Sequence, residues 1–378
     1  MPDVLIYADT LRSADMRHAV PLAVPDAFLY AERNGTRGAV VSSLELPRIV
    51  AALPELQAIP REELGNDELR RSGLPDSEVS LEVNARGVER LGISSAVVPP
   101  DFPVELADFL RGRGVEIGVD RDLFESRRRS KNATEIEGLR RAQRACEAAL
   151  DRAREMLRSA DASGEVLVLG VSPLTCERIK VEIERVFSEH GASADEMIVS
   201  HGPQSAIGHE MGSGAILPNE PIVFDLFPRD RETGVFSDMT RTYVVGEPPE
   251  EILRYHELCL RVLRETTAAT RPGVNGKELM RMACDAFAAA GFKTPLTKEP
   301  GEVLDSGFIH GLGHGVGLEV HERPWISVSG DDFVAGDVIT IEPGLYRAGF
   351  GGLRLEDIVL VTEDGAETIT DYPYDLAP

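Results

Sequence analysis

Tryptophan occurs once in this 378-residue chain, cysteine four times, and long apolar runs are missing. Cys146, Cys176, Cys259 and Cys284 are widely spaced and form no CxxC pair, which excludes a disulfide framework and a thiolate zinc site. No stretch approaches the ~20 apolar residues needed to span a bilayer. The segment Met1 to Ala8 lacks the basic-then-apolar layout of a signal peptide. A cytoplasmic protein with no membrane partner is therefore expected. Lysine is scarce, but arginine takes its place, a bias of composition rather than of function. With 40 Lys and Arg against 64 Asp and Glu, the net charge of −24 leaves no cationic surplus for a phosphate backbone. A nucleic-acid partner is excluded on that ground. No GxSxG occurs, so a serine hydrolase is disfavoured.

A hydrophobic fraction of 42% over this length allows a sizeable core and two domains. In the first third, Val4–Tyr7, Ala27–Tyr30, Gly38–Val41, Ser95–Val98 and Val115–Gly118 read as strands. Glu78–Leu91 and Pro103–Arg113 read as helices, so residues 1–127 are expected to form a small α/β domain. The basic run Arg127–Lys131 reads as a linker, with Asn132 or Thr134 capping the helix that follows. Apolar residues at helical spacing continue to about Leu157, and a second helix is expected over Pro173–His190. Strands follow at Glu196–Ser200, Pro221–Phe227 and Val235–Val245, then helices at Pro249–Thr270 and Gly276–Ala290. Further strands are expected around Phe308, over Val338–Ile341 and over Leu353–Val361. Separate runs of helices and antiparallel strands make residues 128–378 an α+β domain.

Six of the eight histidines lie between residues 201 and 321, mostly beside Asp or Glu in polar or Gly-rich segments. Carboxylates suit hard divalent cations, and imidazole adds affinity for manganese, cobalt, iron or zinc. Asp225 ends the apolar strand Ile222–Phe224, and Asp238 lies beyond a turn-rich connection. A buried carboxylate there needs a partner. A metal would serve, and so would a salt bridge with Arg229 or Arg241. The segment His310–Glu322 holds three histidines, with glycines around His314 that let backbone approach an ion or substrate. It has neither phosphate-loop spacing nor the HExxH of a helical zinc protease. Glu342 follows an apolar strand, and strand alternation puts Arg354 and Glu356 on the same face, where the arginine can orient the carboxylate or a substrate group. Asp357 then points the other way. For either glutamate, a surface ion pair is the competing reading.

Four segments in order, Ser237–Thr242, His310–Glu322, Ile341–Tyr346 and Arg354–Asp357, resemble the metallopeptidase family that includes prolidase, aminopeptidase P and methionine aminopeptidase. Ser130–Arg140 is similar to the usual lead-in to that catalytic domain. The resemblance covers about residues 130–378 and implies a pita-bread catalytic domain, preceded by a creatinase-like amino-terminal domain. It implies two divalent metal ions, manganese foremost with cobalt, zinc or iron as alternatives. The implied ligands are Asp225, Asp238, His314, Glu342 and Glu356. It also implies Glu342 as proton carrier, with His321 and His209 contacting the substrate. His310, Arg354, Tyr346 and Thr240 become substrate contacts or supports of the ligands. One departure stands out: thirteen positions separate Asp225 from Asp238, where the family usually has eleven. Two extra residues in a hairpin preserve the facing of both side chains, whereas one would flip the second. The implied activity is hydrolysis of the bond before proline, in dipeptides or at a peptide's amino terminus, by a homodimer. A metal-independent creatinase-like hydrolase and a catalytically silent peptide-binding relative are the alternatives, and both typically lack ligands that this chain retains.

Overall fold

Alternating side chains decide the layering of the first unit. Val4 and Ile6 enter one apolar cluster, while Leu5 between them enters another on the opposite side. A sheet apolar on both faces must be covered on both. The computed structural model describes residues 2–378, which divide into two units, one ending at Arg128 and the other beginning at Arg129. The first unit holds six strands: β1 (Val4–Ala8), β2 (Phe28–Arg33), β3 (Thr36–Val41), β4 (Gln57–Pro60), β5 (Ser95–Val98) and β6 (Glu116–Val119). Their order is β4-β3-β2-β1-β5-β6, and only β2 runs against the rest. Helices Asp76–Arg90 and Val104–Gly112 cover one face. Ala14–Ala19, Leu46–Ala52 and Arg121–Arg129 cover the other.

The basic run expected to be a linker is helical instead. Helix Arg121–Arg129 includes its three arginines, because Phe124 and Arg128, four residues apart, are buried on one face. Arg128 pairs with Asp15, and Arg127 pairs with Glu32. Charge that looks solvated in sequence is here neutralised within the fold.

The second unit uses one plan twice. Helices Ala133–Arg158 and Cys176–Glu189 pack on the sheet of Ile198–His201, Ile222–Leu226 and Met239–Tyr243. Helices Glu250–Ala269 and Gly276–Ala289 pack on a five-stranded sheet that includes Gly313–Gly315, Glu322–Ile326, Val338–Ile341 and Asp357–Val361. Asn132 and Glu135 form a reciprocal capping box at the first of these helices. The second starts at Cys176 rather than at Pro173, because the Thr175 hydroxyl accepts the Arg178 amide. All four cysteines are buried.

The segment expected as one strand, Leu353–Val361, is two strands in different sheets. Gly351–Arg354 pairs with Gly344–Arg347, and Asp357–Val361 pairs with Val338–Ile341. Between them the Glu356 amide donates to the Thr240 carbonyl and the Leu355 amide to that of Pro343, so the chain crosses from sheet to sheet there. Arg241 secures the crossing. Its guanidinium donates to Glu356 O at 2.7 Å, to Asp357 Oδ1 at 2.9 Å and to Tyr372 O at 2.9 Å. The side chains of Arg241 and Asp357 are only 1% and 3% exposed. Asp357→Ala should therefore destabilise the protein by about 3–5 kcal/mol in urea unfolding, since it strands a buried charge. A loss below about 1 kcal/mol, typical of a surface pair, would contradict this account.

Candidate active site

Strand parity brings the carboxylates together. Phe224 and Leu226 enter the core beneath the helices, so Asp225 between them faces the other way. Asp225 lies opposite Thr240 in the antiparallel ladder, and Asp238, two residues before Thr240, shares that face. Asp238 itself stands just ahead of its strand, which begins at Met239. Glu342 follows Val338–Ile341 directly, its amide held by the Leu312 carbonyl at 2.8 Å. Leu353 and Leu355 enter the second core, leaving Arg354 and Glu356 on the opposite side. Both reach the same pocket although no single strand carries them.

That pocket, of about 530 Å³, is lined by Asp225, Asp238, His314, Glu342, Glu356, His209, His310, His321 and Arg354. Thr240 and Tyr346 sit behind it. Thr240 Oγ1 donates to Glu356 Oε2 at 2.7 Å and accepts from Arg354 Nε at 3.1 Å. Tyr346 OH accepts from Arg354 Nη1 at 3.1 Å and lies 2.9 Å from His310 Nε2. His310 Nδ1 stands 2.6 Å from Gly311 O, a contact that needs a proton on Nδ1. Tyr346 therefore donates to Nε2. His314 Nδ1 likewise donates to Gly315 O at 3.1 Å, which leaves the Nε2 lone pair toward Glu342 Oε1 at 3.6 Å and Asp238 Oδ2 at 3.9 Å. His321 stacks edge-on against His314, with ring centroids 4.3 Å apart.

Asp225 pairs with Arg354 rather than with Arg229 or Arg241, because Arg354 occupies the same face while Arg241 is committed to Asp357. His201 and His256 lie outside the site, bound to Glu220 and to the Tyr374 carbonyl. Sequence reasoning missed Glu196, Met211 and Phe227 in the pocket wall. Glu196 carries no signal beside Asp195, since two adjacent acids look like solvated surface.

The donor set fits hard divalent cations. Asp238, His314 and Glu356 each offer a ligand atom within 4.8 Å of the others. Asp238 Oδ1 is buried with no hydrogen-bond partner, an expensive arrangement unless a cation takes the lone pairs. Asp225 and Glu342 stand outside that tight group of three, Asp225 turned to Arg354. Burial, with repulsion from Glu356 and Asp225, holds the Asp238 carboxyl well above the usual range. Burial and Asp225 push Glu342 up to about 8, and burial with repulsion from Glu342 raises Glu356. Burial, then the neighbouring His321, depresses His314 to about 3, which keeps its imidazole neutral and able to ligate. Burial opposes the charge on Arg354, but Tyr346, Asp225 and Glu342 more than offset it.

With this geometry in place, the comparisons with known proteins are direct. The family model described as metallopeptidase family M24 matches residues 137–363. A relative from Mycobacterium tuberculosis named "Probable dipeptidase PepE" is 35% identical over 282 residues, 74% of this chain and 68% of the relative. An Xaa-Pro dipeptidase from Pyrococcus furiosus is 37% identical over 196 residues, 51% of this chain and 52% of the relative. Among solved structures, the prolidase from Pyrococcus horikoshii superposes with a TM-score of 0.76 at 24% identity, over 100% of this chain and 95% of that one. The fold is thus the pita-bread fold of prolidases. The chain belongs to metallopeptidase family M24, a family of divalent-metal peptidases.

The crowded carboxylates make a pH prediction for protein stripped of metal. Glu342 has a folded-state pKa of about 8, above its ordinary 4.5, so the unfolded chain releases this proton first. Its contribution to stability is complete below pH 4.5 and is lost as pH rises through 8. His314, at about 3, is already neutral in that upper range. The melting temperature of chelator-treated protein should fall from pH 6.5 to 8, the fall should shrink in Glu342→Gln, and metal loading should remove it. A flat profile in the stripped wild type would contradict the prediction.

Proposed function

We propose that this chain is a dinuclear-metal peptidase hydrolysing the bond before proline, in Xaa-Pro dipeptides or at the amino-terminal Xaa-Pro of longer peptides. The observation that carries the reading is the orphaned, buried Asp238 Oδ1 beside the free Nε2 side of His314. The names of the Pyrococcus furiosus and Pyrococcus horikoshii proteins support the proline preference. Asp225, Asp238, His314, Glu342 and Glu356 would hold the metal pair, manganese in our reading, since four carboxylates and one imidazole suit it. Bound there, such a pair supplies an activated water and polarises the scissile carbonyl.

The remaining work falls to the chain. Glu342 accepts the nucleophile's proton and passes it to the leaving nitrogen. His321 and His209, in the pocket wall with exposed faces, donate to the carbonyl oxygen as charge develops on it. Arg354 holds Asp225 directly and acts through Thr240 on Glu356 and through Tyr346 on His310. The reading extends to a homodimer acting on peptides in the cytoplasm; the net charge of −24 speaks against a nucleic-acid or anionic membrane partner.

Asp238→Asn tests the assignment. The variant should keep the wild-type circular dichroism spectrum and lose manganese by elemental analysis. Its kcat/KM on Xaa-Pro substrates should fall by more than the roughly 10–100-fold typical of outer-shell changes around a metal. Full metal content with full activity would overturn the proposal. Matched dipeptide and tripeptide series with proline second distinguish the two substrate lengths.

A further inference from the structure

The amino-terminal unit has a cavity of its own, of about 280 Å³, at one edge of its six-stranded sheet. Tyr7 lies near the end of β1, Ser42 directly after β3 and Arg61 directly after β4, while Asp26 precedes the oppositely directed β2. The cavity therefore opens at the carboxyl edge of the parallel strands. Its lining comes from β1 to β3, the segments beside them and beside β4, and Asn84 of helix Asp76–Arg90.

The lining is polar and incompletely paired. Asn84 is 3% exposed, and its amide nitrogen donates to Ser80 O at 2.9 Å, yet its Oδ1 accepts no hydrogen bond from the described residues. Arg61 makes one side-chain hydrogen bond, to Ser80 Oγ at 3.3 Å. The Tyr7 hydroxyl has only a 3.4 Å contact with the same oxygen. The Asp26 carboxylate and Ser42 hydroxyl carry no side-chain partner among the described residues, whereas Glu45 is taken by Arg48 at 2.6 Å. One largely uncommitted guanidinium, one free carboxylate and an unpaired amide oxygen remain. Unmatched polar groups gathered around one recess leave their hydrogen-bonding capacity open to a water or a ligand.

We propose that this cavity binds a small zwitterion of the free α-amino-acid class. Arg61 receives the carboxylate as a two-pronged donor, and Asp26 with Asn84 Oδ1 receives the ammonium. The volume lies just below the roughly 300–1,000 Å³ of pockets for drug-sized ligands, which limits the occupant to amino-acid size. This site is independent of the carboxylate pocket of the catalytic unit and does not rest on the function proposed for it.

Saturation-transfer NMR on the full-length, chelator-treated protein tests the proposal, with L-proline as probe and acetate and methylammonium as its two half-probes. Saturable proline binding is expected. Arg61→Met and the surface change Asp26→Asn should each weaken it about tenfold or more, the cost of losing a charged hydrogen bond. Asp238→Asn should leave it unchanged, and each half-probe should bind far more weakly than proline. Circular dichroism establishes that the variants are folded, and Asp26→Asn, at an exposed position, serves if Arg61→Met is not. Absence of saturable binding (a cavity holding water only) would overturn the proposal. So would loss of binding in Asp238→Asn alone, or acetate binding as tightly as proline.

Discussion

Mutual repulsion among four carboxylates is the constraint on which the catalytic unit is built. Asp225, Asp238, Glu342 and Glu356 line one recess, and at least three of them resist ionisation there. Arg354 is the cation in the recess, tied to Asp225, Thr240 and Tyr346. Left to itself, such a cluster favours protonation or unfolding over a charged native state. Divalent cations reverse such a preference, so the arrangement that weakens the bare chain is also one whose donor set fits a metal.

The surrounding fold holds the repelling groups in place. Two helix pairs back two sheets, and each sheet turns its polar positions toward the recess and its apolar ones toward its own helices. Arg241 fastens the crossing at Leu355–Glu356 with hydrogen bonds to the Glu356 carbonyl and to Asp357. The Glu356 carboxylate is then fixed by Thr240 and its amide by the Thr240 carbonyl. Neighbouring residues thus divide the work: Glu356 faces the site and Asp357 anchors the strand that follows. The histidines divide similarly. Backbone carbonyls fix the Nδ1 protons of His310 and His314, and this decides which nitrogen each presents.

Most elements were legible because they follow strong periodicities. Helix Ala133–Arg158 repeats apolar residues at helical spacing, and the strand Val338–Ile341 is an apolar run bounded by turns. Legibility failed where packing overrode local pattern. Arg127 to Arg129 look like a solvated linker until Asp15, Glu32 and Asp337 are seen to neutralise them. Leu353–Val361 reads as one strand because nothing local marks the point where its amides turn to Thr240 and Pro343. Glu196 was invisible as a pocket residue, since its place depends on contacts distant in sequence.

By itself, the sequence picked out the carboxylates and histidines that the fold gathers around one pocket. Carboxylates ending apolar strands and histidines set among glycines are a costly pattern that a metal explains, and the order of four motifs is legible without coordinates. The face shared by Asp225 and Asp238 was also within reach, because strand parity survives an insertion of two residues. Only the tertiary structure decided the partners. That Arg354 rather than Arg229 or Arg241 meets Asp225, and that Asp238 Oδ1 is left without a donor, follow from the packing of one sheet against another. Hydrogen bonds and ion pairs act over a few ångströms, and the distances between strands far apart in sequence are set only when the chain has folded.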